Sequence, residues 1–130
     1  MVKPEGVSEL MYDKLTGLMT PFHFYESAKR VKSWANRKGQ ALALIAIRLP
    51  EVSDDVLVDS ARKLNSELRG GDLLARMGER TFVLLLLGDE EGAGHLIFRL
   101  ANTIKPKLDF SSTFFSEDET LVEALNRLGV

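Results

Sequence analysis

Arg69, Gly70, Gly71 and Asp72 set a guanidinium and a carboxylate three residues apart across a glycine pair, with a further arginine, Arg76, four residues on. Arginine offers a planar fork of donors that grips phosphate at two points, and a neighbouring carboxylate accepts from N–H groups of the same ligand. Such a pair binds without a metal. A structural reading stands beside this one: a cation is favourable at the C-terminus of a helix, and an aspartate shapes a turn. Arg76 itself reads as a solvated strand charge. Arg76, Met77, Gly78, Glu79, Arg80, Thr81 and Phe82 form a polar apex between two apolar runs. His23 and His95 stand alone, with no carboxylate at ligand spacing, and make no case for a metal site.

The elements that must hold these groups follow from periodicity and punctuation. Thr20 before Pro21 reads as an N-cap with proline at the first helical position, and Phe24, Ala28, Val31 and Ala35 recur at helical spacing, so residues 21–38 form a helix ended by Gly39. Phe22, Tyr25 and Trp34 read as packing residues of that helix. Lys29, Arg30, Lys32, Arg37 and Lys38 read as its solvated face. Ala41 to Leu49 is an unbroken apolar run, as in a strand covered on both faces, and Pro50 closes it. Ser53, Asp54 and Asp55 open a second helix with a stripe of Leu57, Ala61, Leu64 and Leu68, stopped by Gly70 and Gly71. A hairpin of Leu73 to Met77 and Thr81 to Leu87 follows. A third helix carries Ala93, Leu96, Ile97, Leu100, Ala101 and Ile104 on one face and halts before Pro106. Leu108 to Phe115 reads as a strand. Ser116 and Glu119 then read as a capping box for a last helix with Leu121, Val122, Leu125 and Leu128. The order is helix, strand, helix, strand, strand, helix, strand, helix: an α+β domain with a central, mostly antiparallel sheet flanked by helices.

Composition narrows the functional classes. At 130 residues the chain is a single domain, residues 1–130, large enough for a core without metal or disulfide support. A net charge of −2 without a clustered basic footprint argues against nucleic acid as a partner. There is no cysteine, hence neither a disulfide nor a thiolate metal site. The longest apolar runs fall far short of the roughly 20 residues that span a bilayer. No membrane segment is read in the chain, and a cytoplasmic setting is expected.

Two motifs in order carry a family resemblance. Asp13, Lys14, Leu15, Thr16, Gly17 and Leu18 spell a D-x-L-T-G-L turn, with Phe24 following, and the apex from Arg76 to Phe82 corresponds to an R-Y-G-G-D-E-F signature. The chain thereby resembles the diguanylate cyclase family, the GGDEF domains, from about Tyr12 to Leu128, with residues 1–11 as a lead-in. The resemblance implies their nucleotidyl cyclase-like, ferredoxin-like palm. Departures are specific. Of the signature pentad Gly78, Glu79, Arg80, Thr81 and Phe82, only the first glycine and the phenylalanine match. Thr20, Pro21 and Phe22 replace an Asn-Arg-Arg run.

In this family carboxylates hold the magnesium that activates a 3′-hydroxyl beside a triphosphate. One pair belongs near the end of the first strand, where Ala46 and Arg48 stand, and another in the signature, where Arg80 and Thr81 stand. Magnesium is therefore expected to be lost, and no other cofactor is implied. Asp54 reads as a helix N-terminal charge, because the guanine-reading loop that precedes it in the family is absent. Arg69 and Asp72 match the inhibitory R-x-x-D site at which many members hold cyclic di-GMP, with Arg76 as a secondary contact. A small anion pocket made by Arg48 and Arg80 is a minor alternative.

The resemblance thus implies a catalytically inactive signalling domain that acts by binding, with cyclic di-GMP as the preferred ligand. The first alternative is a nucleotide-free module that self-associates or docks a protein. The second is an active cyclase with a metal site rebuilt on Glu79 or Glu51.

Overall fold

A computed structural model describes residues 9–116 and 118–130, so most of the expected lead-in lies outside the described residues. The chain runs α1 (Pro21–Lys38), β1 (Leu42–Arg48), α2 (Asp54–Ser66), β2 (Leu73–Gly78), β3 (Thr81–Leu87), α3 (Glu90–Thr103), β4 (Asp109–Phe114) and α4 (Leu121–Arg127). The four strands form one sheet in the order β2-β3-β1-β4, and every pairing is antiparallel.

The unbroken apolar run of β1 has a direct cause: its side chains alternate between two cores. Ala43, Ile45 and Ile47 join Phe82 and Leu84 on the face covered by Leu57, Ala61 and Leu64 of α2 and Leu96 and Leu100 of α3. Leu42, Leu44 and Ala46 join Val83 and Leu85 on the opposite face, under Phe24, Ala28 and Ala35 of α1 and Leu121, Ala124 and Leu125 of α4. Each large aliphatic side chain withdrawn from water here stabilises the fold by about 1.5–3 kcal/mol before entropy is counted. Both central strands are therefore fixed in register, because a one-residue slip would exchange the two faces.

Helix ends follow local chemistry. The Thr20 hydroxyl accepts from the His23 amide, and Gly39 closes α1 in the left-handed region at φ 64°. Ser53 caps α2. The last helix differs from expectation, for Thr120 and Glu123 make its capping box and the helix begins at Leu121. Ser116 and Glu119 instead close a turn, in which the Ser116 amide donates to Glu119 Oε1 at 3.2 Å. That start leaves Val122 exposed, while Leu121, Leu125 and Leu128 are buried. Ala101 also faces water, outside the buried stripe of α3. Phe22 and Trp34, expected to pack, are exposed as well, because the buried side of α1 is taken by Phe24, Ala28 and Ala35.

Candidate functional site

The two sequence motifs touch one another. Asp13 Oδ2 accepts from the Thr16 amide at 2.9 Å and the Thr16 hydroxyl at 2.7 Å, and Gly17, at φ 74°, returns its amide to the Asp13 carbonyl at 2.8 Å. Arg76 then reaches across from β2, its Nη1 lying 3.3 and 3.2 Å from the two Asp13 carboxylate oxygens. The pair is largely shielded, with side-chain exposures of 16% and 23%. Burial alone would raise the Asp13 pKa; hydrogen bonds from the Thr16 hydroxyl and amide, and the Arg76 charge, outweigh it and hold the carboxyl below its ordinary value. Met19 completes the join, its amide donating to the Leu74 carbonyl at 3.3 Å and its carbonyl accepting from the Arg76 amide at 3.0 Å. This covers part of the otherwise open edge of β2.

Arg76 also builds the hairpin apex. Its Nε and Nη2 donate to the Glu79 carbonyl at 3.2 and 2.8 Å. Gly78 pairs with Thr81 and the register shifts between Arg76 and Gly78, so Glu79 and Arg80 form the tip. No non-glycine residue there has positive φ, so this is not the mirror-image turn that tight hairpins prefer, and the guanidinium grip on the Glu79 carbonyl holds the apex instead. The structure thus places Arg76 with Asp13 and Glu79.

Ala46, at a position where the resemblance implies a metal carboxylate, has 0% exposure between Val83 of β3 and Ser111 of β4. Arg48, on the same strand face, turns to the C-terminus of α4: Nη2 donates to the Leu128 carbonyl at 2.7 Å and Nη1 to Ser111 Oγ at 3.1 Å. Arg48 and Arg80 do not share these contacts. Glu51 and Glu79 are exposed. Among the described residues, no three His, Asp or Glu side chains gather closely enough to hold a metal ion. His23 is buried, with Nδ1 2.9 Å from the Met11 carbonyl and its ring edge-on to Tyr12.

Arg69 and Asp72 lie between α2 and β2. The Asp72 carboxylate accepts from the Arg69 amide at 3.0 Å and, through its other oxygen, from the Leu87 amide at 3.0 Å. That pins the R-G-G-D turn to the end of β3. Gly71 is favoured here: its φ is +94°, where an L side chain is strained, and a Cβ would come 2.5 Å from Leu87 Cδ1 and force that side chain to shift. The Arg69 side chain, by contrast, is exposed and has no hydrogen-bond or ion-pair partner among the described residues. Arg69 and Asp72 line a cleft of about 320 Å³ together with Glu67, Asp89 and Arg99, whereas Arg76 does not. Arg99, on α3, donates from Nε to Glu67 Oε2 at 3.3 Å. Sequence reasoning missed Arg99, since an isolated arginine on a polar helix face carries no local signal; it becomes visible only when α3 folds beside the turn.

Comparison with known proteins agrees with this architecture. Residues 10–113 match the family model described as diguanylate cyclase, GGDEF domain. No curated protein sequence matches the chain. Among solved structures, the diguanylate cyclase SiaD of Pseudomonas aeruginosa, in complex with its activator SiaC, is similar at TM-score 0.81 and 25% identity; the match covers 95% of this chain and 57% of SiaD. The GGDEF domain of DgcB from Caulobacter crescentus, in complex with c-di-GMP, superposes at TM-score 0.79 with 16% identity, over 98% of this chain and 85% of that one. A sensory box/GGDEF family protein from Caulobacter crescentus CB15 gives TM-score 0.79 at 23% identity, over 89% and 90% of the two chains. With its two motifs joined through Asp13 and Arg76 and its family model matched across most of its length, the chain belongs to the diguanylate cyclase GGDEF domain family.

Proposed function

We propose that this GGDEF domain is a catalytically inactive, cytoplasmic signalling module that works by binding cyclic di-GMP in the cleft of Arg69, Asp72 and Arg99. The observation that carries the reading is an unpartnered arginine beside an immobilised carboxylate: Arg69 projects without a partner among the described residues, while Asp72 is held by two backbone amides. Each carboxylate oxygen retains a second lone pair, so Asp72 can still accept from the guanine imino and amino groups while it holds the turn. Arg69 pairs with a phosphate or with the Hoogsteen edge of the base. Arg99 supplies a second guanidinium, its terminal nitrogens free of protein acceptors among the described residues.

Loss of catalysis is inferred from the donor set. Ala46, Arg48, Arg80 and Thr81 do not fit a divalent cation: an alanine has no donor, a threonine hydroxyl is a weak one, and two guanidiniums repel the ion. Isothermal titration with cyclic di-GMP and GTP side by side tests the whole reading. Saturable heat with cyclic di-GMP, abolished by Arg69→Ala, is expected; a flat titration refutes it. Cyclic di-GMP formed from GTP with magnesium or manganese, followed by chromatography, would refute the inactivity and favour a site rebuilt on Glu79 or Glu51. A second reading, docking of a protein or of a second copy without nucleotide, is favoured by the exposure of Phe98, 71%, and Phe22, 49%. A flat titration together with a concentration-dependent sedimentation shift selects it.

A further inference from the structure

The R-G-G-D turn borders a second cleft. Arg30, Val31 and Trp34 of α1 face Gly70, Gly71 and Leu87 across a mostly apolar space of about 430 Å³. Trp34 keeps 41% of its surface in water, although the neighbouring Val31 and Ala35 pack toward the core. Nothing lies within 4 Å of the position a Gly70 Cβ would take. A flat group leaving Arg69 can therefore pass over bare backbone to the indole. Arg30 adds an exposed guanidinium, held only by a 3.4 Å contact from Nη2 to Ser27 Oγ.

Resting on the binding reading above, we infer that Trp34 and Arg30 form a stacking platform for a purine base of the guanine dinucleotide that Arg69 holds. The occupant follows from the chemistry of the rim. An indole face and a guanidinium plane both stack on a purine, and two arginines, Arg30 and Arg69, flank the glycine step where the phosphates of such a ligand would run. One base is then recognised through its edge at Asp72 and the other through its face at Trp34, so the ligand straddles the turn. An aliphatic or uncharged peptide occupant would leave both guanidiniums without counter-charge.

Trp34 is the sole tryptophan of the chain, so its emission reports this cleft alone. Cyclic di-GMP titrated into the intact chain is expected to quench that emission saturably, with the midpoint of the calorimetric curve. Trp34→Ala should weaken calorimetric affinity on the order of tenfold. It should leave thermal unfolding unchanged. Trp34→Phe, which keeps an aromatic face, should stay within about threefold of the parent. Heat of binding with unchanged emission and parental affinity in Trp34→Ala overturns the platform and leaves the Arg69 site standing. Absence of heat in the parent chain overturns both.

Discussion

Arg69 and Asp72 look symmetric in the sequence, yet their substitution by alanine should separate stability from binding. The Asp72 carboxylate takes two backbone amide hydrogens, and the Leu87 amide it holds is partly buried. A hydrogen bond to a charged group contributes about 1.5–3 kcal/mol, and a buried donor left unpaired incurs its own desolvation penalty. Discounting the exposed Arg69 amide, Asp72→Ala should cost about 2–3 kcal/mol. For a domain of this size each kcal/mol moves Tm by roughly 3–5 °C, so a fall of about 6–15 °C is expected in a thermal melt. Asp72→Asn keeps one acceptor oxygen but turns an amide nitrogen toward a donor, and should fall between parent and alanine. Arg69→Ala removes an exposed side chain that has no partner among the described residues and should stay within about 0.5 kcal/mol of the parent. The assay is urea denaturation of the four proteins alongside the ligand titration. Equal destabilisation by Arg69→Ala and Asp72→Ala, or an unaffected Asp72→Ala, would refute the division of labour between anchor and ligand fork.

Three further outcomes can be measured. A double-mutant cycle on Asp13 and Arg76 should give a coupling of about 1–2 kcal/mol at neutral pH, because the pair is shielded and hydrogen-bonded. Since the folded Asp13 pKa lies below its ordinary value of 3.8, that contribution is complete above 3.8 and disappears as pH falls through the lower folded value, so the cycle repeated at successively lower pH should shrink toward zero. Gly71→Ala should destabilise by more than about 1 kcal/mol in urea, while Gly70→Ala stays near neutral. Ala46→Asp should cost several kcal/mol, on the order of 3–5, and should yield no cyclase activity, as judged by melting and by chromatography of a GTP reaction.

Local chemistry made most elements legible in the sequence and left the site only half so. The cap at Thr20, the αL glycine at position 39 and the two-faced strand β1 each depend on neighbours in the chain, and each was found where composition placed it. The last helix shows the limit. Ser116-x-x-Glu119 and Thr120-x-x-Glu123 are both capping patterns, four residues apart, and only packing chooses the second, by burying Leu121, Ala124 and Leu125. Tertiary pairs are a different matter. Arg76 meets Asp13 across 63 positions and Arg48 meets Leu128 across 80, separations at which no spacing rule operates. Arg99 became a candidate for the same reason, and Phe22 and Trp34 were misplaced because a helix with a narrow buried stripe leaves its other aromatics in water.

The residues at the two strand positions where the family resemblance implies metal carboxylates are integral to this fold. Ala46 fills a fully buried place in the core beneath α1 and α4, where a carboxylate would have neither water nor a partner. Arg48 now satisfies the carbonyl of Leu128 at the end of α4, so exchanging it for an acid would orphan that carbonyl and set a negative charge against a helix C-terminus. An acidic substitution at either position is therefore opposed by stability, independently of any cation. The R-G-G-D turn is under the opposite condition: Gly71 supplies its left-handed backbone and the Asp72 carboxylate is held by two amides, while Arg69 has no side-chain partner among the described residues. The turn by itself places no demand for a cation at position 69, so an exposed guanidinium lining one cleft with Arg99 supports the proposal that this site recognises an anionic ligand.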